Sequence, residues 1–84
     1  MIKETQDERV KRELIGLVQK ILKRPNLEVN SSESLQVISG WDSLNALSLL
    51  LSIEEMYSFQ LDPGEMGKYE TINELVNVVI SKKA

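Results

Sequence analysis

Neither cysteine nor histidine occurs among the 84 residues of this chain. Without cysteine there is no disulfide framework, no thiol nucleophile and no thiolate zinc site, and nothing follows about redox compartment. Without histidine a Ser–His–Asp hydrolase has no imidazole to take the serine proton, and transition-metal sites lose their usual ligand. The expectation is a protein that performs no acid–base chemistry of its own: not an enzyme, and with no metal site. Long apolar runs are missing too, since no segment reaches the ~20 residues of a membrane-spanning helix. Positive charge is in deficit, with ten Lys and Arg against thirteen Asp and Glu, a net charge of −3. An acidic surface repels phosphate backbones, which argues against nucleic acid as a partner, and it attracts basic patches on other proteins. Met1 to Arg9 is too charged for a secretory signal, so a cytoplasmic protein is expected.

What is present fits one small globular domain, residues 1–84, with a modest core. The chain is 42% hydrophobic and 27% charged, inside the ordinary globular range. From Gln6 to Lys23, Val10, Leu14, Leu17, Val18, Ile21 and Leu22 recur at helical spacing. Thr5 and Glu8 form a capping box at its start, and Pro25 forbids continuation. From Pro25 to Asp42 runs a long polar loop. Its scattered Leu27, Val29, Leu35, Val37 and Ile38 imply that it is pinned across a helical core, with room for a helical turn around Ser32 to Leu35. A second helix is expected over Ser43–Tyr57. At 100° per residue, Ala46, Leu49, Leu50, Ile53 and Tyr57 make a core face. Leu44, Leu47 and Leu51 make a second stripe, either buried by the loop or left for a partner. Asn45, Ser48, Ser52 and Glu55 form the polar face. Phe59–Leu61 is a short connection, and Pro63–Lys68 reads as a short third helix with proline at its first position. Thr71 and Glu74 box the start of a last helix whose buried face is Ile72, Leu75, Val76 and Val79, ending near Lys82 and Lys83. The fold class is all-α: a bundle of three longer helices and one short third helix, with a long loop between helices one and two.

Chemistry concentrates at Gly40-Trp41-Asp42-Ser43-Leu44, where the loop becomes the second helix. A serine hydroxyl sits there beside free backbone N–H groups and the positive end of the helix dipole, a setting that tolerates an attached phosphate. Serine is also a preferred N-cap, so the local pattern by itself favours Ser43 as a plain helix cap; Asp42 is the alternative cap, and Trp41 a docking residue for the loop.

Over nearly its whole length the chain resembles the acyl carrier protein family and the related peptidyl carrier domains. The resemblance rests on the long first helix, the loop, Asp42-Ser43-Leu44 at the loop-to-helix junction, Ile53-Glu54-Glu55-Met56-Tyr57, Phe59-Gln60-Leu61 and Tyr69-Glu70-Thr71-Ile72. It implies that Ser43 is esterified by 4′-phosphopantetheine taken from coenzyme A, with Asp42 as the motif's acidic neighbour. The thiol of that arm holds acyl or aminoacyl cargo as a thioester, so the reactive sulfur belongs to the prosthetic group. The implied partners are a phosphopantetheinyl transferase, a loading ligase or transferase and downstream biosynthetic enzymes. Leu44, Leu47, Leu51, Glu54 and Glu55 would meet them, and the carrier would be a monomer.

This chain departs from the family's fatty-acid type in specific places. Asn45, Ser48 and Ser52 stand where carboxylates are usual along the second helix, and Met56 where another acid is frequent. Trp41-Asp42-Ser43-Leu44 is similar to stand-alone carriers of specialised pathways such as saccharide decoration, polyketides or nonribosomal peptides, rather than of housekeeping fatty-acid synthesis. Two rivals remain from the residues alone: an unmodified interaction module using the leucine stripe, and an enzyme with Ser43 as nucleophile, for which no general base is visible.

Overall fold

The computed structural model describes residues 4–61 and 69–83. Among the described residues three α-helices carry the fold: α1 (Gln6–Leu22), α2 (Ser43–Tyr57) and α3 (Ile72–Lys83). A single 3-10 turn, Leu35–Val37, interrupts the α1–α2 loop. Among the described residues there is no strand, so the architecture is all-helical. The expected short helix over Pro63–Lys68 lies outside the described residues.

Each helix starts and stops for identifiable reasons. Thr5 Oγ1 accepts the Glu8 N–H at 3.1 Å, which satisfies one of the orphan donors of the first turn of α1. The reciprocal arm of a capping box is altered, because the Thr5 hydroxyl donates to the Glu8 carboxylate at 2.9 Å instead. α1 closes on Lys23 in the left-handed region, φ 57°, and the N–H groups of Lys23 and Arg24 return to the Lys20 and Gln19 carbonyls. That pattern satisfies the last carbonyls of the helix before Pro25 takes over. α3 has the full capping box expected of Thr71 and Glu74: Glu74 N donates to Thr71 Oγ1 at 3.1 Å, and Thr71 N donates back to Glu74 Oε1 at 3.1 Å.

The core is made by one stripe from each helix. Val10, Leu14 and Val18 of α1 meet Leu49, Leu50 and Ile53 of α2 and Ile72, Leu75, Val76 and Val79 of α3, with Leu35 and Leu61 closing the ends. α1 packs against both other helices. The Tyr57 hydroxyl donates to Glu13 Oε1 at 2.9 Å, tying the end of α2 to the N-terminal half of α1. Burial, and then that bond to a carboxylate, push the Tyr57 phenol well above its ordinary value, since both disfavour the phenolate.

The long loop is pinned, but not where the sequence suggested a helical turn. The turn lies at Leu35–Val37, with the Ser34 hydroxyl accepting the Gln36 N–H at 3.2 Å, three residues later than Ser32. Hydrogen bonds tie the middle of the loop to α1, to α3 and to the residue pair just before α3. Gln19 Nε2 donates to the Leu27 carbonyl at 2.9 Å, and Leu35 N to the Glu70 carbonyl at 2.8 Å. Asn73 donates twice, from its backbone N–H to the Ser31 carbonyl at 3.0 Å and from Nδ2 to Ser32 Oγ at 3.2 Å. Leu35 then drops into the core while Leu27, Val29 and Ile38 are half-buried against it, so the loop acts as a structural layer.

Two outcomes are expected. Leu14→Ala removes a side chain from the centre of the three-helix contact and lowers unfolding free energy by about 3 kcal/mol in a urea titration. The Tyr57 contribution is complete below the ordinary phenol value of 10.0. It declines as pH rises above that value and vanishes once the phenol ionises in the folded chain. Thermal melts above pH 10 should therefore fall less steeply for Tyr57→Phe than for wild type.

Candidate functional site at the start of α2

The loop reaches α2 through a turn that only glycine fits. Gly40 has φ +88°, and a Cβ there would meet Arg24 Nη2 at 2.9 Å. The Gly40 carbonyl accepts Asn45 Nδ2 at 2.8 Å, so the loop end is stapled to the first turn of the helix. Trp41, half-buried, packs against the core and donates its backbone N–H to the Ile38 carbonyl at 3.1 Å.

Asp42, not Ser43, is the cap of α2. It is extended, φ −146°, and its Oδ1 accepts the Asn45 N–H at 2.9 Å, while its carbonyl accepts the Ala46 N–H at 3.0 Å. Ser43 is thereby displaced to the first helical position, where its side chain is exposed and its hydroxyl makes no hydrogen bond to a described residue. Helix geometry leaves the Ser43 and Leu44 N–H groups without intrahelical acceptors, and no other described residue accepts them. An exposed hydroxyl, two free donors and the positive end of a 15-residue helix are thus gathered in one turn, a setting that suits a singly charged phosphodiester.

Beside this turn lies a hollow of about 100 Å³ lined chiefly by Trp41, Ala46, Leu49, Leu50 and Leu75. The second stripe of α2 is on the outside. Leu44 is 73% exposed, Leu47 41% and Leu51 55%, and Val37 from the loop is 66% exposed. Burial beneath the loop, the alternative the spacing left open, does not occur. Glu55 is exposed, but Glu54 differs from expectation. It is half-buried, and its Oε2 accepts the Leu61 N–H at 2.6 Å, so this carboxylate holds the exit from α2.

Asn45 is the residue whose work was missed. Counted simply as polar face, it is half-buried and bonds both the cap and the glycine turn. The available signal was its place at the third helical position after an Asp cap, from which side chains reach back. Among the described residues no group of three acidic side chains could hold a metal, and no helix is long and apolar enough to cross a membrane.

Asp42→Ala should cost about 1 kcal/mol through loss of the cap, and Gly40→Ala about 1–2 kcal/mol through the positive φ alone. Ser43→Ala, which removes no hydrogen bond, should leave the denaturation midpoint within experimental error. Equal losses at all three positions would contradict the assignment of the cap.

Comparison with known proteins bears on the same segment. No curated protein and no solved structure matches the chain. The family model for the phosphopantetheine attachment site matches residues 12–79, a span that runs from α1 through the Gly40–Asn45 junction and most of α3. The donors at the start of α2 fit the phosphate that this group brings. The chain belongs to the phosphopantetheine attachment family: it is a carrier protein whose cofactor is covalent 4′-phosphopantetheine.

Proposed function

We propose that Ser43 carries the 4′-phosphopantetheine, and that the protein presents acyl or aminoacyl cargo to partner enzymes in a specialised pathway rather than in housekeeping fatty-acid synthesis. The observation that carries the assignment is the displacement of Ser43 from the cap position by Asp42, which leaves its hydroxyl exposed and unengaged. The terminal thiol of the arm supplies the thioester chemistry that a chain without cysteine lacks. Everything else falls to the chain's own residues. The Ser43 and Leu44 N–H groups hold the phosphate at the helix start. Asp42 fixes the turn through Oδ1, and Oδ2 is left to a metal ion brought by the transferase. No described histidine or cysteine base exists to deprotonate Ser43, so the transferase takes that proton.

Docking falls to the exposed stripe Leu44, Leu47 and Leu51 with Val37, which borders Ser43 and buries apolar area when a partner closes over the arm. Glu55 lies at its far end. Asn45, Ser48 and Ser52, where relatives of the fatty-acid type bear acids, leave little charge on this face. Rim charge governs encounter rate and partner choice, so partners that rely on strongly acidic carriers are disfavoured. The whole chain acts as one carrier domain, a monomer in the cytoplasm, whose partners are the transferase, a loading enzyme and downstream acceptors.

The test is the intact mass of wild type and Ser43→Ala after incubation with coenzyme A, magnesium and a broad-specificity phosphopantetheinyl transferase. Wild type is expected to gain one phosphopantetheinyl group and Ser43→Ala none, with both folded by circular dichroism. Equal gain in both proteins would remove Ser43 from the assignment. Absence of gain with transferases from the native host as well would leave an unmodified interaction module. For the docking face, Leu44→Ala with Leu51→Ala should keep stability within about 0.5 kcal/mol and lower kcat/KM for modification by about 5–30-fold.

A further inference from the structure

No lysine or arginine occurs between Arg24 and Lys68, so the loop after Arg24 and the whole of α2 carry no positive charge. Arg24 itself stands at the end of α1, its backbone N–H returned to the Gln19 carbonyl at 2.9 Å, and its side chain is laid over Gly40. Nη2 is 2.9 Å from the point a Gly40 Cβ would occupy. Gly40 is in turn bonded through its carbonyl to Asn45 in the first turn of α2. From Gly40 to Ser43 the backbone spans at most about 10 Å, close to one Debye length at physiological salt. Among the described residues the guanidinium makes no ion pair, although Glu28 and Glu33 line the same hollow as Arg24. Arg12 pairs with Glu4, but no carboxylate or carbonyl among the described residues accepts a hydrogen bond from the Arg24 side chain.

Charge balance makes this placement informative. A phosphodiester on Ser43 adds one negative charge next to that of Asp42. The start of α2 answers with roughly half a positive charge from its free N–H groups. The deficit is met by no side chain of the loop or of α2. We propose that Arg24 is the counter-charge for the phosphodiester, a positioning residue that offsets Asp42 and steadies the root of the arm over the helix start. The proposal rests on Ser43 being the attachment residue. Guanidinium suits the task because it stays charged at every working pH and is weakly hydrated.

The test compares wild type, Arg24→Gln and Arg24→Lys, each unmodified and fully modified as verified by intact mass. Thermal melts are run at about 0.01 M and about 1 M ionic strength, where the Debye length is ~30 Å and ~3 Å. In the unmodified state Arg24→Gln should melt within about 1 °C of wild type, because the side chain makes no bond there. At low salt the change in Tm on modification should be about 2–4 °C less favourable in Arg24→Gln than in wild type. Arg24→Lys should recover most of that difference, and high salt should abolish it. The phosphorus NMR resonance of the modified protein should also move in Arg24→Gln. An identical change in Tm on modification in all three proteins would overturn the proposal. So would a loss of the same size with and without the arm, which is the mark of a purely structural arginine. Failure of wild type to gain mass, with transferases from the native host as well, is read before any melt; it would refute the modification on which this inference rests.

Discussion

Asp42 Oδ1 accepts the Asn45 N–H at 2.9 Å, and through that bond α2 begins with Ser43 inside the helix rather than at its cap. Serine and aspartate are near-equal caps, so either residue was competent to take the role. Because the aspartate takes it, the serine hydroxyl has no intramolecular duty, and the first two N–H groups of the helix remain open beside it. The residue that holds the turn in place and the residue proposed to accept the group are thus neighbours with different work.

The surrounding structure serves to keep that turn fixed. Asn45 bonds back to Gly40, Gly40 takes a positive φ under the Arg24 side chain, and Trp41 anchors the intervening backbone to the core. Farther out, the 3-10 turn is bonded to the residues just before α3 through Leu35 and Glu70. The loop therefore connects the turn before α2 to both neighbouring helices, which explains how so long a connection persists in so small a domain. The apolar stripe left outside, Leu44, Leu47 and Leu51, is available because α2 spends only Leu49, Leu50 and Ile53 on full burial.

Much of this was legible in the residues. Helical spacing identified the buried stripes of α1, α2 and α3, because a small bundle leaves those apolar positions nowhere else to go. Thr5, the Asp42-Ser43 pair and Thr71 marked the helix starts because side-chain oxygens answer a fixed need of the backbone. The choice between Asp42 and Ser43 as cap was not legible, since local propensity cannot separate them. Nor was the function of Glu54, whose carboxylate satisfies the Leu61 N–H, or of Asn73, whose bonds depend on loop geometry that spacing does not encode; Asn45 was marked only by its third-position place after the Asp42 cap. The 3-10 turn fell three residues late because Leu35 had to reach the core, a tertiary demand that outweighs local propensity.

The most direct test of the account is fragmentation mass spectrometry of the phosphopantetheinylated wild-type chain, to find which serine bears the group. Nine serines compete: Ser31, Ser32, Ser34, Ser39, Ser43, Ser48, Ser52, Ser58 and Ser81. The account predicts the group on Ser43 alone, the hydroxyl freed by the Asp42 cap. Its recovery on any other serine, or spread over several, would contradict the claim that the cap of α2 decides where this carrier is loaded.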